Sequence, residues 1–258
     1  MQTTALPGAG PAVDVRRASD RFDTRISWLD SHHSFSFGHH FDPDNTHHGL
    51  LLVNNDDTVL PGTGFETHPH RDMEIVTWVM QGSLVHQDSM GHSGVIYPAL
   101  AQRMSAGSGI LHSEKNDSWR LQGAEHRDPV HFIQMWVVPD ADGITPGYEQ
   151  QDIDPVRLDN QWVTVASGMK AHAQDTAIHI ANSDAALHAT RLDAGHTVTM
   201  PDAPWAHLYI ARGSVEVEGV GRLGQGAAIR FAGTGGQTIR ALEPAEILAW
   251  EMHAQLDL

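Results

Sequence analysis

Cysteine is absent from this chain of 258 residues. Its absence excludes disulfide bonds, thiolate metal sites and cysteine nucleophiles. Lysine is nearly as rare, since only Lys115 and Lys170 occur, and there is no run of basic residues. Together with a formal net charge of -16, this argues against direct binding to nucleic-acid phosphates or to anionic membrane surfaces.

Long apolar runs are missing as well. No segment approaches the roughly 20 residues that a transmembrane helix needs. Residues 1–20 also lack the apolar core of a signal peptide. We therefore expect a cytoplasmic protein that does not bind membranes, with enough length for one large domain or two smaller ones.

Short apolar segments separated by turn residues fill most of the chain. Residues 49–53 are apolar, residues 54–57 are Asn and Asp, and Pro61-Gly62 follows the next apolar stretch. The same rhythm continues through residues 74–80 and 131–138. Many short strands with turn signals between them predict an all-β sandwich or barrel.

The second half of the sequence echoes the first. Pro, Asp and Gly cluster at residues 139–147, where we place a break. When Gly213 is aligned with Gly82, residues 205–210 match residues 74–79, and residues 226–236 likewise match residues 99–109. We predict a flexible tail over residues 1–13, one domain over residues 14–147 and a second domain over residues 148–258.

Two histidine strings indicate a metal site. His68 and His70 stand two residues apart, and so do His112 and Glu114. Side chains at i and i+2 of a strand point to the same face. Two such strands side by side would aim three imidazoles and one carboxylate at one point. This set of ligands suits Fe, Cu, Ni, Mn or Zn.

Chance pairs are expected in a chain with 19 histidines, so each remaining histidine needs its own interpretation. We expect the pairs at residues 32–33, 39–40 and 47–48 to lie on surface loops. We expect His86 to be a partly solvated turn residue. Glycines at 62, 82 and 109 frame the two ligand strings, and this context favours a metal site over chance.

The ordered pattern Gly62…His68-x-His70…Gly82, followed by Gly109…His112…Asn116, resembles the cupin motif pair. More narrowly, THPHRDMEIVT at residues 67–77 and MSAGSGILHSE at residues 104–114 resemble the pirin family. Shorter strings agree in order at residues 28–31, 35–37, 41–43, 86–91 and 143–146.

The resemblance implies a bicupin, with two antiparallel, jelly-roll-like β-barrel domains and one divalent metal in the N-terminal domain. His68, His70, His112 and Glu114 are the ligands that it implies. Iron is the metal that it favours, and Cu, Ni, Mn, Co or Zn would also be compatible. In many other cupins the carboxylate ligand stands where Glu74 stands here. We expect Glu74 to be a structural strand residue instead.

The repeat bears on the second domain too. Its register places residues without metal-binding side chains at the four ligand positions, namely Thr199, Pro201, Ile239 and Ala241. We therefore expect a degenerate C-terminal cupin domain without a metal site.

Bacterial members of the family resemble quercetin 2,3-dioxygenases, which open the central ring of flavonols with O2 and release CO. On this reading a flavonol and O2 are the small-molecule partners. Glu114 would be both a ligand and the general base for the 3-hydroxyl group. The alternative is an iron-binding regulator that acts through protein contacts without turnover. A wide apolar pocket at the metal favours the enzyme, whereas a sealed metal favours the regulator.

Overall fold

A computed structural model describes residues 12–121 and 127–256, which form an almost entirely β fold. The strands of the first half are β1 (Ala12–Arg16), β2 (Phe22–Arg25), β3 (Leu29–His33), β4 (Leu51–Val59), β5 (Gly64–His70), β6 (Glu74–Gln81), β7 (Leu84–Asp88), β8 (Ser93–Ile96), β9 (Leu100–Ser105), β10 (Ile110–Lys115), β11 (Val130–Val137) and β12 (Gly147–Asp152). The strands of the second half are β13 (Val163–Ser167), β14 (Ile178–His179), β15 (Ala185–Leu192), β16 (Thr197–Thr199), β17 (Trp205–Arg212), β18 (Ser214–Val217), β19 (Gly221–Gly224), β20 (Ala228–Ala232), β21 (Thr238–Ala241) and β22 (Ala245–Met252). Short 3-10 helices lie between strands at Ala18–Asp20, Ser118–Arg120, Pro155–Leu158 and Lys170–His172. None of the helices in the described ranges is long and apolar enough to cross a membrane.

Each half builds one seven-stranded and one four-stranded sheet. In the first half the orders are β12-β9-β6-β11-β4-β3-β2 and β5-β10-β7-β8. In the second half the corresponding orders are β1-β20-β17-β22-β15-β13-β14 and β16-β21-β18-β19. Apart from the edge strands of the two large sheets, equivalent strands follow one another in the same order. Gly82 and Gly213 both turn with a φ of 78°. The predicted all-β bicupin fold is confirmed, and the structure agrees with the internal repeat.

The two large sheets take their edge strands from unexpected parts of the chain. β1 pairs with β20 of the second half, from Ala12 opposite Ala232 to Arg16 opposite Ala228. β12 pairs with β9 of the first half. Strand pairing thus assigns residues 12–16 to the second barrel and residues 147–152 to the first, which differs from the predicted boundaries. The predicted tail, residues 1–13, lies outside the described residues except for its last two.

An apolar core joins the two halves. Trp78 and Met80 of β6 belong to the same buried cluster as Leu248 and Trp250 of β22. The indole Nε1 of Trp78 also donates a hydrogen bond to Glu246 Oε1 at 2.8 Å. The two barrels therefore bury a shared surface.

Candidate metal centre

Strands β5 and β10 bring three histidines together. They run antiparallel, with His68 opposite His112 and His70 opposite Ile110. The Nε2 atoms of His68 and His112 lie 3.1 Å apart. The ligand atoms of His68, His70 and His112 all lie within 4.8 Å of one another. The alternation of side chains along the two strands thus gathers three of the four predicted ligands.

These three side chains fit a divalent cation. His68 Nδ1 donates to the carbonyl oxygen of Glu66 at 2.7 Å, so its Nε2 carries the free lone pair. His70 Nε2 is buried without a hydrogen-bond partner. Burial, with the neighbouring histidines, lowers the pKa of His70 to about 4 and that of His112 to about 3. Neutral imidazoles with converging lone pairs are the form that binds metal.

Glu114 is held by side chains of β11, a strand of the other sheet. Its Oε2 accepts a hydrogen bond from Gln134 Nε2 at 2.7 Å. Trp136 Nε1 in turn donates to Gln134 Oε1 at 3.2 Å. The close set of ligand atoms that contains Glu114 also contains His112 and His86, whereas His68 and His70 belong with His112 to the other set. The two sets therefore meet at His112.

His86 lies behind the centre rather than in a solvated turn, and that expectation was wrong. It is fully buried on β7, where it pairs with Glu114 of β10. Its Nδ1 lies 3.4 Å from His112 Nδ1, and its Nε2 lies 3.1 Å from Asp88 Oδ2. Such a carboxylate and imidazole behind a metal-binding histidine fix its orientation.

Glu74 has a different environment. Its buried carboxylate accepts hydrogen bonds from Ser105 Oγ at 2.9 Å and from the Ala181 backbone N–H at 3.0 Å. Burial raises the pKa of this carboxyl group. These contacts tie β6 and β9 to the second half, as expected for a structural residue.

A cavity of about 690 Å³ opens onto the histidines. Its lining includes His68, His70 and Glu114. Four aromatic side chains supply much of its wall, and they are Trp28, Phe37, Phe65 and Trp136. Trp28 and Phe65 meet edge to face with ring centroids 5.2 Å apart. The centre is therefore open to a planar ligand of small-molecule size.

A polar wall, contributed by β3 and β4, was missed by the sequence analysis. His33 was expected on a surface loop, and that prediction was wrong, since it is buried on β3 and lines the cavity. Its Nδ1 lies 2.9 Å from Asn55 Oδ1. Asp57 also lines the cavity, and burial raises its pKa to about 7, although Ser31 donates a hydrogen bond to it. The polar residues that alternate along β3 and β4 were the sequence signal that could have predicted this wall.

Two repeated barrels with a histidine centre in the first define a bicupin. Family models agree, because residues 13–137 match "Pirin" and residues 160–252 match "Quercetinase C-terminal cupin domain". A Mycobacterium tuberculosis protein, whose name gives quercetin 2,3-dioxygenase as a provisional assignment, is 59% identical over 95% of this chain and 96% of its own. The chain belongs to the pirin family.

Other relatives span similar lengths. A pirin-like protein of Caulobacter vibrioides is 37% identical over 86% of this chain and 91% of its own. Among solved structures, the bacterial pirin YhhW from Escherichia coli in complex with nickel(II) superposes with a TM-score of 0.83. It is 30% identical, and the match covers 95% of this chain and 100% of that one.

Proposed function

We propose that this protein is a metal-dependent dioxygenase that opens the central ring of flavonols such as quercetin with O2 and releases CO. His68, His70, His112 and Glu114 are the residues that would hold the catalytic metal, and iron is the first candidate. An Escherichia coli relative named quercetin 2,3-dioxygenase supports the proposal, being 43% identical over 56% of this chain and 60% of its own.

The observation that carries the proposal is the aromatic cavity beside the histidines. Its volume of about 690 Å³ falls within the range of small-molecule sites. Its aromatic side chains suit a flat polyphenol, while the polar wall at His33 and Asn55 offers partners to ring hydroxyl groups. A regulator that acts through surface contacts requires no such cavity next to its metal.

Glu114, Gln134 and Trp136 have different roles in the proposed reaction. A bound divalent metal supplies Lewis acidity toward the 3-hydroxyl oxygen of the flavonol. Glu114 takes the proton of that hydroxyl group as general base. Gln134 donates to Glu114 Oε2 and so keeps the carboxylate oriented. Trp136 fixes the amide of Gln134 in the orientation that makes this donation.

Local charge favours the deprotonated substrate. Three neutral imidazoles and one carboxylate would leave a bound divalent cation with a net charge near +1, a charge that would favour a flavonolate anion. The aromatic walls at Phe65 and Trp136 exclude water from the reacting ring.

The test compares two flavonoids that differ at the 3-hydroxyl group. Metal-loaded protein should consume quercetin in air, followed by the loss of its visible absorbance, and should leave luteolin, which lacks that group, unchanged. His112→Ala should abolish the reaction, whereas His196→Ala, an exposed histidine far along the chain, should not affect it. Equal consumption of both flavonoids would contradict the mechanism. Consumption of neither by fully metallated protein would favour the regulator.

A further inference from the structure

The second barrel has lost the cupin ligand positions but carries another set of metal-binding side chains. Ile239 and Ala241, the counterparts of His112 and Glu114, are buried in an apolar cluster. Elsewhere in the same barrel, the ligand atoms of His172, His188 and Glu251 all lie within 4.8 Å of one another.

Strand register places His188 and Glu251 of this set inside the second barrel. His188 of β15 pairs with Ala249 of β22, a member of the apolar cluster that fills the barrel. Glu251, two residues further along β22, points to the same face. In the first half, the sheet positions equivalent to His188 and Glu251 are occupied by Asn55 and Trp136, which line the cavity. His188 and Glu251 therefore lie in the second barrel where cavity-lining residues lie in the first.

The distances suit one cation. Glu251 Oε2 lies 3.0 Å from His188 Nε2 and 3.5 Å from His172 Nε2. Two ligands that each bind one zinc ion at about 2.1 Å are roughly 3 to 3.5 Å apart. His172 Nε2 is buried and has no hydrogen-bond partner, so a polar atom aimed at the carboxylate is left unsatisfied. A cation between them would satisfy it.

Outer contacts orient two of the three side chains. His188 Nδ1 lies 3.2 Å from Thr164 Oγ1, so donation to that hydroxyl leaves the lone pair on Nε2. His253 Nε2 lies 2.9 Å from Glu251 Oε1, which leaves Oε2 directed at the two histidines. Such second partners are typical of metal-binding histidines and carboxylates.

We propose that His172, His188 and Glu251 form a second metal site, specific for a zinc-class divalent cation. Two imidazoles and one carboxylate are an established donor set for zinc, with a fourth position left for water. The site links the short 3-10 helix Lys170–His172 to β15 and β22. It departs from the expected metal-free second half, because that expectation considered only the positions repeated from the first barrel.

Zinc stoichiometry tests this proposal independently of the proposed reaction. Metal-free protein is loaded with ZnCl2, passed through a desalting column and analysed for zinc per chain. The wild type should retain one more equivalent than His172→Ala. In a His68→Ala/His112→Ala background, which removes the first centre, one equivalent should remain and should be lost when His172→Ala is added. Zinc should also raise the melting temperature of that background protein.

Two further variants test whether zinc binding needs the charge of Glu251 and whether it depends on these histidines in particular. Glu251→Gln preserves the size of the side chain but removes its charge, and it should weaken zinc binding at least tenfold. His196→Ala, an exposed histidine of the same barrel, should leave the stoichiometry unchanged. The proposal fails if wild type and His172→Ala retain equal zinc. It also fails if the folded background protein retains none. If the background protein does not fold, the comparison of wild type with His172→Ala decides alone.

Discussion

Asp56 and Asp57 are neighbours on β4 that point to opposite faces of its sheet, and their carboxyl groups behave oppositely. Burial raises the pKa of Asp57 to about 7 from its ordinary 3.8. Burial also acts on Asp56, but hydrogen bonds from His131 and Tyr209 and the charge of Arg21 outweigh it and lower its pKa. Asp57 faces the cavity, whereas Asp56 binds across to the second barrel through Tyr209.

Asp57→Asn should stabilise the metal-free protein above neutral pH. The folded wild type binds the Asp57 proton up to about pH 7, whereas the unfolded chain releases it near pH 3.8. Stability arising from this group is thus lost as the pH rises between those values. The variant should unfold with a free energy higher by roughly 2–4 kcal/mol at pH 8 and almost unchanged at pH 4. Urea titrations at both pH values measure this difference.

Asp56→Asn provides the matched control, with the opposite sign. The lowered pKa of Asp56 means that its contribution is present above its ordinary pKa of 3.8 and is lost on acidification. Removing its charge should therefore lower the free energy of unfolding by about 1–3 kcal/mol at pH 8. If both asparagine variants shifted stability in the same direction, the assignment of the two environments would be wrong.

Glu74 and Glu114 test which carboxylate serves the metal. Glu74→Gln should retain the metal, because Glu74 is hydrogen-bonded to Ser105 and Ala181 away from both close sets of ligand atoms. Glu114→Gln should weaken metal binding or abolish turnover. Metal content after dialysis and the initial rate with quercetin measure these effects. Loss of the metal from Glu74→Gln alone would reverse the assignment.

Side-chain spacing predicted the histidine set but not its surroundings. The i and i+2 relation placed His68 and His70 on one face of β5, which is a local property of any strand. Gln134, Trp136 and His86 lie on β11 and β7, and only the pairing of those strands brings them to the site. A sequence with 19 histidines gives no local sign of which buried ones contact each other.

The β5–β10 ladder is the element that sets the histidine geometry, and at Gly64 its two backbones leave no room for a side chain. Gly64 has a φ of 153°, and a Cβ there would collide with the carbonyl oxygen of Glu114 and with Lys115 Cα. Backbone atoms cannot yield as a flexible side chain would, so any side chain at residue 64 must push β5 away from β10.

Gly64→Ala should therefore destabilise the fold by about 1–3 kcal/mol and weaken metal binding, because His68 moves away from His112. Gly91→Ala is the control, since Gly91 also has a positive φ, of 92°, but a Cβ there meets no atom within 4 Å. Gly91→Ala therefore introduces the strain of a positive φ without a collision between the new Cβ and a neighbouring strand. Thermal unfolding and metal titration of the two variants separate these effects. Equal losses of metal affinity would refute the role assigned to the ladder.

The strand elements were largely predictable, but the edges of the sheets were not. Apolar segments bounded by Gly, Pro, Asn and Asp gave most strands because turn chemistry is local. The pairing of β1 with β20 joins residues more than two hundred positions apart. No local pattern encodes it, since the open edge of β20 exists only after the second barrel has formed.

At the scale of the molecule, the two similarly built barrels differ in what fills them. The first keeps a cavity lined by polar and aromatic residues. In the second, an apolar cluster that includes Ile229, Phe231 and Ile239 occupies the interior. Ile239, which the internal repeat aligns with His112, belongs to this cluster. A cytoplasmic location stays a prediction from the sequence.

The yield of CO tests the central claim most directly, because this product requires cleavage of the flavonol ring rather than simple oxidation. Purified protein of known metal content is incubated with quercetin in air, and CO is quantified against quercetin consumed. We predict CO release that matches quercetin loss mole for mole, with neither CO release nor quercetin loss in His68→Ala/His112→Ala. Consumption of quercetin without CO would contradict it, as would undiminished CO release by that double variant.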